Sequence, residues 1–138
     1  YSSADGVSKG AYVMADTAAD FSVILIATGS EVALAAKVQE QLLTEGIQSR
    51  LVSAPCLEWF AEQDQNYQNS VLPKEVKARV SIEAGIAMPW YKLIGDNGVA
   101  VSLEHFGASA SANVLFKEFG FNVEKVVKAA KQSIAQSK

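Results

Sequence analysis

This chain of 138 residues holds one cysteine, one histidine and three prolines. A lone Cys56 excludes an intramolecular disulfide and any zinc site built on several cysteines, and it fits a reducing compartment. Cys56 and His105 stand far apart in sequence and do not suggest the several convergent ligands that a metal needs. Cys56 also has no basic neighbour in sequence to lower its pKa, so it reads as a buried, inert thiol. Long apolar runs are missing too. The run Val23–Ala27 falls far short of the ~20 residues of a membrane span, and the first residues lack the basic-then-apolar layout of a signal peptide. The expectation is a cytoplasmic protein with no membrane partner. Basic charge is scarce: 12 Lys and Arg against 15 Asp and Glu give a net charge of −3. With no basic run to release counterions from phosphates, nucleic acid is not an expected partner. The chain has no repeat of fixed period and no low-complexity segment.

What remains is an ordinary globular composition, 49% hydrophobic. The length suits one domain, which at this size buries about 68–70% of the surface its unfolded chain exposes, so no disulfide or structural metal is needed. Residues 1–9 mix serine, glycine and charge without an initiator methionine. They read as a linker remnant from a preceding domain, and residues 10–138 as the domain itself.

The order of elements follows from periodicity. Gly10-Ala11-Tyr12-Val13-Met14-Ala15 predicts a short edge strand, followed by a polar loop. Phe21 to Ala27 is nearly continuous in β-branched and apolar residues, the pattern of a strand buried on both faces. After Thr28-Gly29-Ser30 a helix is expected over 31–45, with Ser30 as N-cap, Glu31 complementing the helix dipole and Gly46 as the stop. Val32, Ala35, Ala36, Leu42 and Leu43 are assigned to its packed face. A second buried strand covers 47–54 and cannot pass Pro55 as a central strand. Helix resumes at Leu57, breaks near Asp64 where Gln63-Asp64-Gln65-Asn66 is too polar to pack, and ends before Pro73. Further strands fall at 77–83 and 98–103, with a short helix opened by Pro89 between them and closed by the Gly95-Asp96-Asn97-Gly98 turn. Two helices finish the chain. One spans 112–119, capped by Ser109 or Ser111 and stopped by Gly120; the other runs from Asn122 to about Ser133, with Phe121 and Val126 placed for a hydrophobic staple. Strands alternating with helices give an α/β domain, a parallel or mixed sheet with helices on both faces.

In such a sheet ligands bind outside the carboxyl ends of the strands. The candidate residues there are Thr28, Gly29 and Ser30, then Glu83, then Glu104 and His105. Ser30 reads either as a simple helix cap or as part of an anion cradle at a helix N-terminus, since one Gly-Ser turn is far less than a full glycine fingerprint. Glu83, Glu104 and His105 could converge for acid–base work, but a lone histidine beside a Phe-Gly turn is more often a hydrogen-bonded interface or core residue. Trp59 with Phe60, and Trp90 with Tyr91, suit either the core or a contact with another domain or subunit. No nucleophile elbow with a Ser-His-acid order supports an autonomous hydrolase.

Taken in order, several stretches resemble the C-terminal domain of transketolase. They are Ile26-Ala27-Thr28-Gly29-Ser30-Glu31-Val32; Ser53-Ala54-Pro55-Cys56, with Gln63-Asp64, Tyr67 and Ser70-Val71-Leu72-Pro73; Ala78-Arg79-Val80-Ser81-Ile82-Glu83-Ala84-Gly85; Trp90-Tyr91-Lys92 through Gly95-Asp96; and His105-Phe106-Gly107-Ala108-Ser109-Ala110 through Phe116-Lys117-Glu118-Phe119-Gly120-Phe121. The ordered set is specific where no single stretch is.

The resemblance implies a three-layer, Rossmann-like α/β fold with a mixed five-stranded, mostly parallel sheet, whose one antiparallel strand would be the edge strand at Tyr12. Transketolases of the pentose phosphate pathway move a two-carbon ketol unit between sugar phosphates, using thiamine diphosphate and a divalent metal (Mg or Ca) held between the first two domains of a homodimer. Nothing here matches that family's pyrophosphate-and-metal motif or its cofactor-activating glutamate, so the resemblance assigns no catalytic, cofactor-binding or metal-binding residue to this chain and no role to His105. The expected partners are the middle and N-terminal domains of the same enzyme and its second subunit. The expected role is a non-catalytic structural and dimer-interaction domain. The alternative is a regulatory module that binds a small anion or sugar phosphate through Thr28, Gly29, Ser30, Glu83 and His105.

Overall fold

A computed structural model describes residues 10–27, 31–55, 57–83, 94–95, 98–102 and 123–137. Five strands form one sheet: β1 (Tyr12–Asp16), β2 (Val23–Ala27), β3 (Ser49–Ser53), β4 (Arg79–Glu83) and β5 (Val99–Ser102), in the spatial order β1-β3-β2-β4-β5. Pairing is parallel except between β1 and β3, which is antiparallel with a register shift between Val13 and Ala15. The edge strand at Tyr12 is thus the odd one of an otherwise parallel sheet, as expected.

Alternation along β2 sends its side chains to two separate cores. Val23, Leu25 and Ala27 join Leu51, Val80, Ile82 and Val101 on one face, under α1 (Glu31–Thr44) and the last helix. Ile24 and Ile26 join Val52, Ala54, Phe60, Val71 and Leu72 on the other, under α2 (Leu57–Ala61) and α3 (Gln65–Val71). Every β2 side chain is fully buried, which is why the run shows no polar alternation. Helices on both faces complete the three layers.

Helix boundaries have local causes. Asp64 caps α3, its Oδ1 accepting the Tyr67 N–H at 2.7 Å, so the polar stretch that separates α2 from α3 also starts the second of them. At the end of α1 Gly46 adopts φ +78°, Gly46 N–H donates to Leu43 O and Ile47 N–H to Leu42 O, the double closure that satisfies orphaned helix carbonyls. One face assignment is corrected: Leu43 is 46% exposed, while Ala35, Val38 and Leu42 carry the buried stripe. Those three follow the i, i+3, i+7 spacing, and Leu43 lies one residue, about 100°, off it.

The last helix, α4 (Val123–Gln136), runs about one turn past Ser133, because Ile134 still packs against the core. It lies across α1, β4 and β5. Ser133 joins α4 to the sheet: its Oγ accepts the Arg79 N–H at 2.9 Å and donates to Arg79 O at 3.3 Å, bridging the start of β4. The expected helices at 112–119 and after Pro89, and the staple residue Phe121, lie outside the described residues apart from Ile94, which is buried against the Phe60 side of the sheet.

Candidate functional site at the strand ends

The four parallel strands finish nearly level. Ala27 is in register with Ser53 on one side and Ile82 on the other, and Glu83 is in register with Ser102. From β2 the chain passes to α1 on one face; beyond β4 it reaches Ile94 on the opposite face. The carboxyl ends of β2 and β4 therefore flank the point where connections diverge, which is where open α/β sheets form a ligand crevice. On its other side β2 is closed off, because Ala54 N–H donates to Ala27 O at 2.8 Å and continues the β2–β3 ladder past the strands.

Of the predicted residues, Glu83 ends β4 at this divergence and its backbone stands opposite Ser102. Thr28, Gly29, Ser30 and His105 lie outside the described residues, as do Cys56, Glu104, Trp90 and Tyr91. In the sequence Thr28, Gly29 and Ser30 stand between Ala27 and Glu31, and His105 stands three residues beyond Ser102. The aromatic pair that is described splits: Phe60 is 1% exposed and meets Tyr67 edge-on with ring centroids 6.2 Å apart, whereas Trp59 is 48% exposed.

Sequence reasoning underestimated Glu31. Assigned there only to complement the helix dipole, it is 6% exposed at the first turn of α1. A carboxylate in that position already meets the positive end of the helix, which disfavours a second anion at the same N-terminus. The signal available was its place immediately after Gly29-Ser30, which sets it against the end of a fully buried strand.

Three shifted ionisations among the described residues lie away from the carboxyl ends of β2 and β4. A hydrogen bond from Lys131 holds the Glu45 carboxyl below its ordinary range, burial raises the Tyr67 phenol, and burial lowers the Arg79 guanidinium. Two depressions among the described residues also avoid the strand ends. One, of about 490 Å³, lies between α1 and α4 beside Glu45, Val127 and Lys131; the other, of about 150 Å³, lies on α3 next to the start of β4. Among the described residues no group of three or more His, Cys, Asp or Glu side chains could hold a metal ion, and no helix is long and apolar enough to cross a membrane.

Residues 10–122 match the family model described as the transketolase-like C-terminal domain. The chain is 52% identical to the transketolase of Mycobacterium leprae over 132 residues, 93% of this chain and 19% of that protein. It superimposes on the transketolase of Leishmania mexicana with a TM-score of 0.88 at 39% identity, covering 98% of this chain and 19% of that one. For a Pichia stipitis transketolase crystallised with sedoheptulose 7-phosphate the TM-score is 0.86 at 35% identity, over 97% of this chain and 19% of that one. The chain thus spans about a fifth of the length of the relatives it matches.

Proposed function

This chain belongs to the transketolase-like C-terminal domain family, and from that membership we propose that it is the non-catalytic structural and dimer-interaction domain of a transketolase. The parent enzyme would transfer a two-carbon ketol unit between sugar phosphates in the cytoplasm, within the pentose phosphate pathway. Thiamine diphosphate and a divalent metal would be bound by other domains of the enzyme. Residues 1–9 would then be the linker from the middle domain, and residues 10–138 would face the middle and N-terminal domains and the second subunit.

The observation that carries this reading is the family match over residues 10–122, in a chain that spans about a fifth of the length of the transketolases it resembles. The purified chain should catalyse no ketol transfer and give no heat when titrated with thiamine diphosphate and magnesium. In the longer enzyme, removing residues 10–138 should shift the sedimentation coefficient from dimer towards monomer. Turnover by the chain alone at the rate of a complete enzyme, or an unchanged dimer after the deletion, would overturn the reading.

The strand-end crevice keeps a second reading in play, a regulatory small-anion or sugar-phosphate site using Thr28, Gly29, Ser30, Glu83 and His105. It has the divergence of β2 and β4 in its favour and the buried Glu31 carboxylate against it. A sugar phosphate at millimolar concentration should raise the melting temperature by mass action, and Ser30→Ala with His105→Ala should abolish the rise. The absence of any rise would dispose of it.

A further inference from the structure

The depression on α3 lies at the amino end of β4, the opposite end of the sheet from the crevice just described. Its wall is one face of α3, where Gln65, Gln68 and Asn69 follow helical i, i+3, i+4 spacing; Phe60 and Leu72 form an apolar floor, and Lys74 and Arg79 complete the lining. The lining contains two cations, three carboxamides and no carboxylate, in a chain whose net charge is −3.

The cations are not equivalent. Arg79 is held from behind: Nε donates to Val76 O at 3.1 Å, and Nη2 to Pro73 O at 2.9 Å and Leu72 O at 3.3 Å. Carbonyl acceptors fix the plane of a guanidinium without removing its charge, so part of the binding entropy is already spent in the folded chain. Lys74 is exposed, and its backbone is tied to α3 by its N–H donating to Asn69 Oδ1 at 3.1 Å. One cation is therefore anchored and partly buried, and the other is free to close over a ligand. The volume, about 150 Å³, equals roughly five waters at ~30 Å³ each, and is well below the ~300–1,000 Å³ of sites for larger ligands.

We infer that the Gln65–Asn69–Lys74–Arg79 depression is a binding site for a single phosphate group, whether inorganic phosphate or the phosphate end of a small ester. Arg79 supplies the fixed charge, Lys74 the mobile one, and the Gln65 and Asn69 carboxamides the neutral donors that distinguish a tetrahedral oxyanion from chloride, the Gln68 Nε2 being already engaged with Ala61 O and Gln63 O.

The test uses the 138-residue chain, ¹⁵N-labelled, at constant ionic strength held with sodium chloride. Side-chain amide and guanidinium N–H signals are followed during titration with inorganic phosphate and, separately, with glucose 6-phosphate. Saturable shifts at the Asn69 amide and Arg79 Nε–H are expected with at least one of the two, and which one saturates identifies free or esterified phosphate as the ligand. Lys74→Gln lies on the surface and leaves the dispersed spectrum of the folded chain; it should weaken binding at least tenfold, while Lys37→Gln, exposed on α1 away from the depression, leaves it unchanged. Linear, unsaturated shifts with both ligands, or equal affinity in Lys74→Gln, would overturn the assignment.

Discussion

Arg50 and Asp16 meet through two parallel hydrogen bonds, Nε to Oδ1 at 2.8 Å and Nη2 to Oδ2 at 3.0 Å, across the antiparallel junction of β3 and β1. The same guanidinium donates from Nη1 to Ser70 O at 2.7 Å and Val71 O at 3.1 Å, at the carboxyl end of α3, and lies 4.5 Å above the Phe21 ring. One side chain thereby joins the edge strand, the end of a helix and the approach to β2. Because it is only 14% exposed, the pair is worth more than an ordinary surface ion pair. Arg50→Lys keeps the charge and loses the planar fork, and should cost about 1–3 kcal/mol in urea unfolding. A cost equal to that of a typical surface substitution would show that the fork contributes nothing.

Tyr67 carries an alkaline limit. Its hydroxyl donates to Ala11 O at 2.7 Å, and burial raises its pKa above the ordinary 10.0. A raised folded-state value means stability is fully present below about pH 10 and is lost as pH climbs through the folded value, where the phenolate can no longer donate. Tyr67→Phe should lose about 1 kcal/mol at neutral pH and abolish that part of the alkaline decline, as read from melting temperatures between pH 8 and 11.

Glu45 behaves oppositely. Its carboxyl is held below 4.5 by the Lys131 ammonium at the crossing of α1 and α4. The contribution is present above pH 4.5 and disappears as acid carries the carboxyl through its lowered folded value. Lys131→Met should reduce the acid dependence of unfolding in that window at low salt, and the difference should shrink in 0.5 M sodium chloride.

Ser81 is fully buried on the Phe60 side of β4, and its Oγ has no hydrogen-bond partner among the described residues. A lone buried hydroxyl retains its desolvation cost without compensation. Ser81→Ala should therefore be neutral or raise stability by up to about 1 kcal/mol. A loss above that value in denaturant titration would mean the hydroxyl is satisfied in solution.

The adjacent aromatics make a paired comparison. Phe60→Ala removes a ring from the floor of a closed core and should cost about 3–5 kcal/mol. Trp59→Ala, on the exposed side of the same short helix, should alter the stability of this chain by no more than about 0.5 kcal/mol. Equal losses would mean that Trp59 is covered in solution.

Strand β2 is legible because it is apolar at every position, as burial on both faces demands, while β3 and β4 show only two apolar residues each, Leu51 with Val52 and Val80 with Ile82, and are marked instead by β-branched residues between turn signals. The break at Asp64 was readable from polarity, and the stop at Gly46 from the backbone freedom glycine alone supplies. The Arg50–Asp16 fork was not readable. It joins residues 34 apart in sequence whose meeting depends on β1 lying antiparallel to β3, a pairing that neither local run encodes. Burial of Glu31 is not legible for a related reason: a helix-first-turn carboxylate is ordinarily solvated, and its 6% exposure depends on tertiary packing that the local run does not encode. Of the predicted candidate residues Thr28, Gly29, Ser30, Glu83 and His105, Glu83 alone lies among the described residues, where its backbone ends β4.

The bond from Ser133 to the start of β4 has a bearing on how the polypeptide is made. Val126, Val127, Ala129 and Ala130 cover a sheet face whose strands are all synthesised earlier. Until α4 follows those strands off the ribosome, the part of that face which α1 does not cover stays open, and the nascent chain presents an oily surface suited to chaperone capture. Stop codons upstream of α4 should therefore yield insoluble product rather than a smaller working domain.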